Sequence, residues 1–137
     1  MQRTLALIKP DAFAAGHQGK IISAIQESGL KVVALKSLHL SEAQARGFYH
    51  VHKERPFFGD LVKFMTEGPI VAMALEGDDA IKRWRDLMGP TNAKEAPKET
   101  LRGQFGTDIE RNATHGSDAE DTAAFEVGFF FSGLELG

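Results

Sequence analysis

His115 stands in the segment Arg111-Asn112-Ala113-Thr114-His115-Gly116-Ser117-Asp118, and this setting separates it from His17, His39, His50 and His52. A neutral imidazole attacks phosphorus without first shedding a charge. It needs an acceptor on its second ring nitrogen, which fixes tautomer and orientation. Gly116 leaves room beside the ring. Ser117 and Glu120 have the spacing of a capping box, so the loop would lead onto a helix N-terminus, where phosphate is favoured. Glu126 is a candidate acceptor, because it interrupts the apolar stretch Phe125 to Phe131 and a buried carboxylate there would demand a partner. An edge strand with Glu126 facing water is the competing reading, and the residues alone leave both open.

Phosphoryl transfer otherwise depends on positioning and on cations that neutralise the phosphate oxygens as charge shifts. Lys9 at the end of the first strand, Arg55 beside Pro56, Arg85 beside Trp84, and Arg102 in a long loop are the candidates. Taken singly, each reads as a solvated charge. The chain has no GxxxxGK[ST] segment and no Gly-rich loop with HRD and DFG signatures, which sets aside the P-loop and protein-kinase mechanisms. It has no cysteine, so disulfides, thiolate metal sites and thiol nucleophiles are excluded. A hydrolase built on Ser117, His115 and Asp118 lacks the GxSxG elbow, and three residues so close in sequence rarely form a triad.

The elements that would position these groups follow from periodicity. Thr4 to Ile8 is a short apolar run halted by Pro10, which suits a buried strand. Gly19 to Ser28 puts Ile21, Ile22 and Ile25 on one helical face, with Gly29 as the stop. Lys31 to Leu40 predicts a second strand. Ser41 and Gln44 form a capping box that opens a helix carrying Ala45, Phe48 and Tyr49. Beyond Pro56, Leu61, Phe64 and Met65 mark another short helix. Ile70 to Leu75 predicts a third strand, and Asp79 is placed to cap a helix burying Ile81, Trp84 and Met88. From Gly89 to Thr114 the periodicity fades. That length suggests a functional loop, and Thr91, Asn92, Arg102, Arg111, Asn112 and Thr114 suit it to holding something polar. Phe125 to Phe131 predicts a final strand. The order implies an α/β sandwich of the α+β kind, with helices covering one face of a mainly antiparallel sheet.

At 137 residues, 42% apolar and 26% charged, the chain reads as one globular domain spanning 1–137. No run approaches the roughly 18 apolar residues of a membrane span, nor does the start resemble a signal peptide, so a cytoplasmic location is expected. The formal net charge of -3 argues against non-specific binding to a nucleic-acid backbone. It does not argue against small anions, for which a local cluster of Lys and Arg suffices.

From Arg3 to about Leu134 the chain resembles the nucleoside diphosphate kinases, nearly without gaps. The matching segments are Ile8-Lys9-Pro10-Asp11-Ala12, Phe48-Tyr49, Lys53-Glu54-Arg55-Pro56-Phe57-Phe58, Gly68-Pro69-Ile70-Val71-Ala72-Met73, Arg85-Asp86-Leu87-Met88-Gly89-Pro90-Thr91-Asn92, Thr100-Leu101-Arg102-Gly103 and the NxxHGSD run from Asn112 to Asp118. The resemblance implies a ferredoxin-like βαββαβ fold with a four-stranded antiparallel sheet covered by helices. It also implies ping-pong transfer of the γ-phosphate of ATP, through a phosphorylated His115, to a nucleoside diphosphate.

Carried over residue by residue, Glu126 orients the imidazole, Ser117 supports Glu126, and Tyr49 sits close to the nucleophile. Arg55, Arg85, Thr91 and Arg102 bind phosphates, with Mg²⁺ held mainly through the phosphate oxygens rather than by the protein. Lys9 and Asn112 hold the ribose hydroxyls, and Lys9 also helps to neutralise the γ-phosphate. Phe57 stacks on the base, with Leu61 and Ile109 closing the other side, an arrangement tolerant of base identity because every base has a π-face. The family also implies a homo-oligomer, a tetramer or hexamer built from dimers. One departure stands out: Glu99 lies just before Thr100, where many members carry a Pro-Gly, so the path of that loop is open.

Two rival readings are weaker. Arg46-Gly47-Phe48-Tyr49-His50-Val51 resembles the start of an aromatic RNA-binding motif, but Tyr49 and His50 break the pattern and the segment follows a helix cap. A regulatory nucleotide-binding protein without catalysis is disfavoured because His115, Glu126 and the phosphate-binding set are all present.

Overall fold

Thr4 to Ile8 are fully buried, and that is explained by the place of their strand in the sheet. The computed structural model of the chain describes residues 1–136. Strand β1 (Gln2–Ile8) lies between β3 (Ile70–Gly77) and β4 (Thr114–Gly116), while β2 (Lys31–Leu38) flanks β3, giving the order β2-β3-β1-β4. All pairings are antiparallel, with Leu5 opposite Ala74 and Leu7 opposite both Ala72 and His115. This is the expected ferredoxin-like sheet.

Both faces of the sheet are covered, which corrects the expectation of a single helical layer. Side chains alternate across a strand. Leu5 and Leu7 therefore enter one core with Phe48, Val62, Met65, Val127 and Phe130. Ala6 and Ile8 enter the other with Ile21, Ile25, Trp84 and Met88. The first core is roofed by α3 (Glu42–Phe48), α4 (Phe58–Met65) and α7 (Glu120–Phe130). The second is roofed by α2 (Gln18–Glu27) and α5 (Ala80–Met88). Shorter helices occupy Pro10–Ala14 (α1), Leu101–Phe105 (α6) and Gly133–Leu136 (α8). A strand packed on both faces reads as a continuous apolar run, which is what β1 shows.

Local signals account for most of the helix ends. Ser41 accepts from the Gln44 N–H at 3.1 Å while the Gln44 side chain accepts from the Ser41 N–H at 2.9 Å, so this capping box forms as expected. Gly29 follows α2 at φ 90°, a conformation open to glycine and unfavourable for other residues.

Three expectations fail. Asp79 makes no side-chain cap and sits at φ 54°; the N–H of Ile81 in the first turn donates instead to Gln2 Oε1 at 2.9 Å. Ser117 and Glu120 form no capping box, because the helix begins beyond Ala119 and Thr122 Oγ1 accepts from the Ala119 N–H at 2.9 Å. The segment Phe125 to Phe131 is not a strand: Phe125 to Phe130 belong to α7, and the fourth strand is Thr114–Gly116. Burial at Ala123, Val127 and Phe130 recurs at helical spacing.

Candidate active site

His115 is presented by the short edge strand β4. Pairing with Leu7 points its side chain into the core layer beneath α3 and α7, while Gly116, paired with Ala6, faces Trp84. The His115 Nε2 lies 2.9 Å from Glu126 Oε1. A carboxylate only accepts, so Nε2 carries the proton and Nδ1 keeps its lone pair. Ser117, two residues on and thus on the same face, donates to the same oxygen at 2.9 Å and accepts from the Leu5 N–H at 3.2 Å. Glu126 therefore faces the ring from α7, not solvent from an edge strand. The imidazole packs edge-on to Phe48 at 5.5 Å and Tyr49 at 6.3 Å between centroids. From the opposite face Trp84 donates its indole N–H to the His115 carbonyl at 3.0 Å. Ring and backbone are both fixed.

Lys9, Arg102 and Arg85 gather about the neighbouring loop, whereas Arg55 is not brought into contact with them. Lys9, buried at the end of β1, donates to Asn112 Oδ1 at 2.8 Å. Asn112 in turn donates to the Thr91 carbonyl at 2.9 Å and the Ile109 carbonyl at 3.1 Å. Arg102 donates to the Gly89 and Thr114 carbonyls, each at 2.9 Å, and leaves its Nε–H buried without an acceptor. Arg85, on α5, pairs with Asp118 at 2.6 Å. Arg55 lies exposed in the turn before α4.

Burial lowers Arg102 to about 10, and the Arg85 charge adds to the effect. Burial likewise lowers Lys9 to about 8, with Arg102 adding and Asp11 and Glu110 opposing. Each of these cations raises the free energy of the next, so the cluster would bind an anion strongly. Beside it, Phe57, Leu61, Ile109, Thr91, Lys9 and Glu110 line a mostly apolar cleft of about 390 Å³. Phe57 is 48% and Ile109 65% exposed, so both present apolar surface at this cleft. The cleft, the cations and the imidazole fit a molecule with a flat apolar end and a polyanionic end.

A profile of the family described as nucleoside diphosphate kinase matches residues 2–136. The chain belongs to the nucleoside diphosphate kinase family. Among curated relatives, the nucleoside diphosphate kinase of Syntrophotalea carbinolica is 62% identical over 136 residues, covering 99% of each chain. That of Oleidesulfovibrio alaskensis is 58% identical over 135 residues, covering 98% of this chain and 97% of its own. Among solved structures, the Aquifex aeolicus nucleoside diphosphate kinase superposes with a TM-score of 0.98 at 47% identity, covering 99% of both chains. The Halobacterium salinarum nucleoside diphosphate kinase, solved in complex with CDP, gives 0.95 at 40% identity, covering 99% of this chain and 91% of its own.

Sequence reasoning missed the second layer around the site. Trp84 was expected as core, yet its indole N–H holds the His115 carbonyl. Gly116 was expected to free space beside the imidazole, whereas the close approach is to Trp84 and Met88 on the other face. The Glu99 region poses no backbone problem, since the only non-glycine residues at positive φ are Asp79 and Ala113 among the described residues. Thr100 caps α6 there, accepting from the Gly103 N–H at 3.1 Å.

The lowered Lys9 predicts opposite pH trends for function and stability. Lys9 loses its charge as pH rises through about 8, so kcat/KM should fall on the alkaline side with an apparent pKa near that value. The folded value lies below the ordinary 10.5, so between about 8 and 10.5 the unfolded chain binds more protons and stability rises with pH. Burying the charged form costs about 3 kcal/mol below that window. A Lys9→Met protein should lose the alkaline limb of the kcat/KM profile; a limb unchanged in that variant would assign it to another group.

Proposed function

We propose that this chain catalyses transfer of the γ-phosphate of a nucleoside triphosphate, typically ATP, to a nucleoside diphosphate, in two half-reactions through a phosphorylated His115. The observation that carries this reading is the single uncommitted ring nitrogen, Nδ1, held on an imidazole whose Nε2 is bound to Glu126 at 2.9 Å. As Nδ1 attacks phosphorus the imidazole becomes cationic, and the Glu126 carboxylate stabilises that charge while Ser117 holds the carboxylate in place. The bond to the nucleoside diphosphate breaks as the N–P bond forms, and the acceptor reverses the step. Lys9, Arg55, Arg85 and Arg102, with Thr91, take the phosphates; Lys9 and Asn112 take the ribose hydroxyls; Phe57, Leu61 and Ile109 hold the base. Tyr49 closes the apolar wall beside the nucleophile. Burial raises its phenol well above the ordinary range, so it stays protonated.

The donor set suits Mg²⁺ arriving on the nucleotide. Among the described residues no group of three or more acidic or His side chains is placed to hold a metal ion, and Asp118 beside the cations is already tied to Arg85 at 2.6 Å. Bound to phosphate oxygens, Mg²⁺ would supply charge neutralisation of the transferring group. The reading also takes residues 1–137 as one domain, acting in the cytoplasm where nucleotides are used. No described helix is long and apolar enough to cross a membrane. The protein would work as a homo-oligomer, for which the half-exposed Leu35 on the edge strand β2 offers apolar surface.

Brief incubation with γ-labelled ATP and Mg²⁺, without acceptor, tests the proposal. The expected product is an acid-labile, alkali-stable phosphoprotein that loses its label to GDP or CDP. A protein that binds nucleotide but stays unlabelled would be a regulatory binder instead. Glu126→Ala should slow phosphorylation about 10²-fold, within the range that a positioned acid–base group contributes, with the fold intact by circular dichroism. Unchanged kinetics would remove Glu126 from the mechanism.

A further inference from the structure

Ala113 is the residue between the two halves of the site, and it is the strained one. It sits at φ 72°, a conformation that a residue with a Cβ rarely adopts, and it is fully buried. Its neighbours leave it no freedom. Asn112 before it meets Lys9 through its side chain, Thr114 after it gives its carbonyl to Arg102, and His115 follows. Strain of this kind persists only where surrounding groups hold it.

Two groups hold this one, both from the segment at the end of β1. The Ala113 carbonyl accepts from the Lys9 N–H at 2.8 Å. The Ala113 N–H donates to Asp11 Oδ2 at 3.1 Å. Asp11 lies in the first turn of α1, where its charge also supports that of Lys9, and its second oxygen, Oδ1, is buried without a partner. A part-buried carboxylate kept at such a disadvantage, with one oxygen on the strained peptide, is explained if holding that peptide is its task.

We propose that Asp11 is a positioning residue for phosphoryl transfer, gripping the strained Ala113 peptide so that Asn112 turns toward the ribose and phosphate side while His115 enters β4 with its ring on Glu126. This rests on His115 as the nucleophile. Asp11 touches no substrate; it acts through Ala113.

The test measures single-turnover phosphorylation by γ-labelled ATP and Mg²⁺, with nucleotide affinity and thermal midpoint read on the same samples. Asp11→Ala should slow phosphorylation by at least tenfold at temperatures where the protein is folded. Asp11→Asn keeps a carbonyl oxygen for the Ala113 N–H and should stay within about threefold of the parent. Ala113→Gly removes the conformational strain, so in the Asp11→Ala background it should recover most of the lost rate, while alone it changes the parent little. A role in general stability would instead give losses that follow the thermal midpoint and ignore residue 113.

Asp11→Ala at the parent rate overturns the proposal, as does a slow Asp11→Ala that Ala113→Gly leaves unimproved. Should Asp11→Ala fail to fold, Asp11→Leu, which also lacks the acceptor, takes its place under the same criteria, and an Asp11→Asn slowed beyond tenfold likewise overturns the proposal. A parent protein that takes no label would fail earlier, at His115 itself, and would overturn both readings; a labelled parent with indifferent Asp11 variants overturns only this one.

Discussion

Replacing His115 with alanine is expected to lower phosphoryl transfer by more than about 10⁴-fold, the scale on which loss of a covalent nucleophile is felt, while nucleotide affinity stays within about threefold. The asymmetry follows from where the side chain sits. The imidazole makes its one hydrogen bond to Glu126 and otherwise packs against Phe48 and Tyr49; the cations and the Phe57 cleft belong to other elements. No second histidine is placed to substitute. His39 is bound to the Thr66 carbonyl at 2.6 Å, His50 to the Gly47 carbonyl at 3.2 Å, and His17 is packed against Phe105. His52 packs beside Phe57, 5.6 Å between ring centroids. Label transfer from γ-labelled ATP and equilibrium binding of ADP are the two measurements. A variant that exchanges phosphate at the parent rate would show that another atom attacks.

Much of this site is legible in the sequence, because its key signals are local. Asn112 to Ser117 carries the nucleophile, its glycine and its hydroxyl in one run, and β1 announces itself as an apolar strand ended by Lys9-Pro10. What is not legible is how distant pieces meet. The Lys9–Asn112 bond joins residues 103 apart in the chain, and neither residue alone specifies the other.

The misreading of Phe125 to Phe131 has a specific cause. Aromatic residues and a glycine in succession suggest a strand, but the helical signal lies in Ala123, Val127 and Phe130, the first of them before the aromatic run begins. Phe125 is 44% exposed and packs near His50 and Phe129, so the outer face of α7 is also apolar and blurs the period. The true fourth strand has three residues, too few for any alternation to show. Glu126 thus reached the imidazole from a helix, although the chemistry that suggested it, a carboxylate needing a partner, was sound.

A large structural effect of a single methyl group is expected at Gly116, next to the nucleophile. A Cβ there would lie 2.6 Å from Trp84 Cδ1, 2.7 Å from Trp84 Nε1 and 2.6 Å from Met88 Cε. Met88 can swing its terminal methyl aside, but Trp84 is wholly buried between the sheet and α5 and has nowhere to go. Gly116→Ala should therefore destabilise the fold by about 2–3 kcal/mol, as overpacking in a dense core does.

The loss should reach the chemistry as well. Either Trp84 retreats and gives up the His115 carbonyl, or β4 lifts from β1 and carries the imidazole with it. A displacement near 1 Å in a reacting group is worth about 10²-fold in rate. Gly128→Ala is the matched control, because a Cβ at Gly128 meets nothing within 4 Å and the residue lies inside α7. There the same methyl should stabilise the helix by about 0.5–1 kcal/mol. Thermal midpoints of the two variants should move in opposite directions from the parent, with phosphorylation slowed only in Gly116→Ala. If both move alike, the contact with Trp84 does not govern the position of the nucleophile.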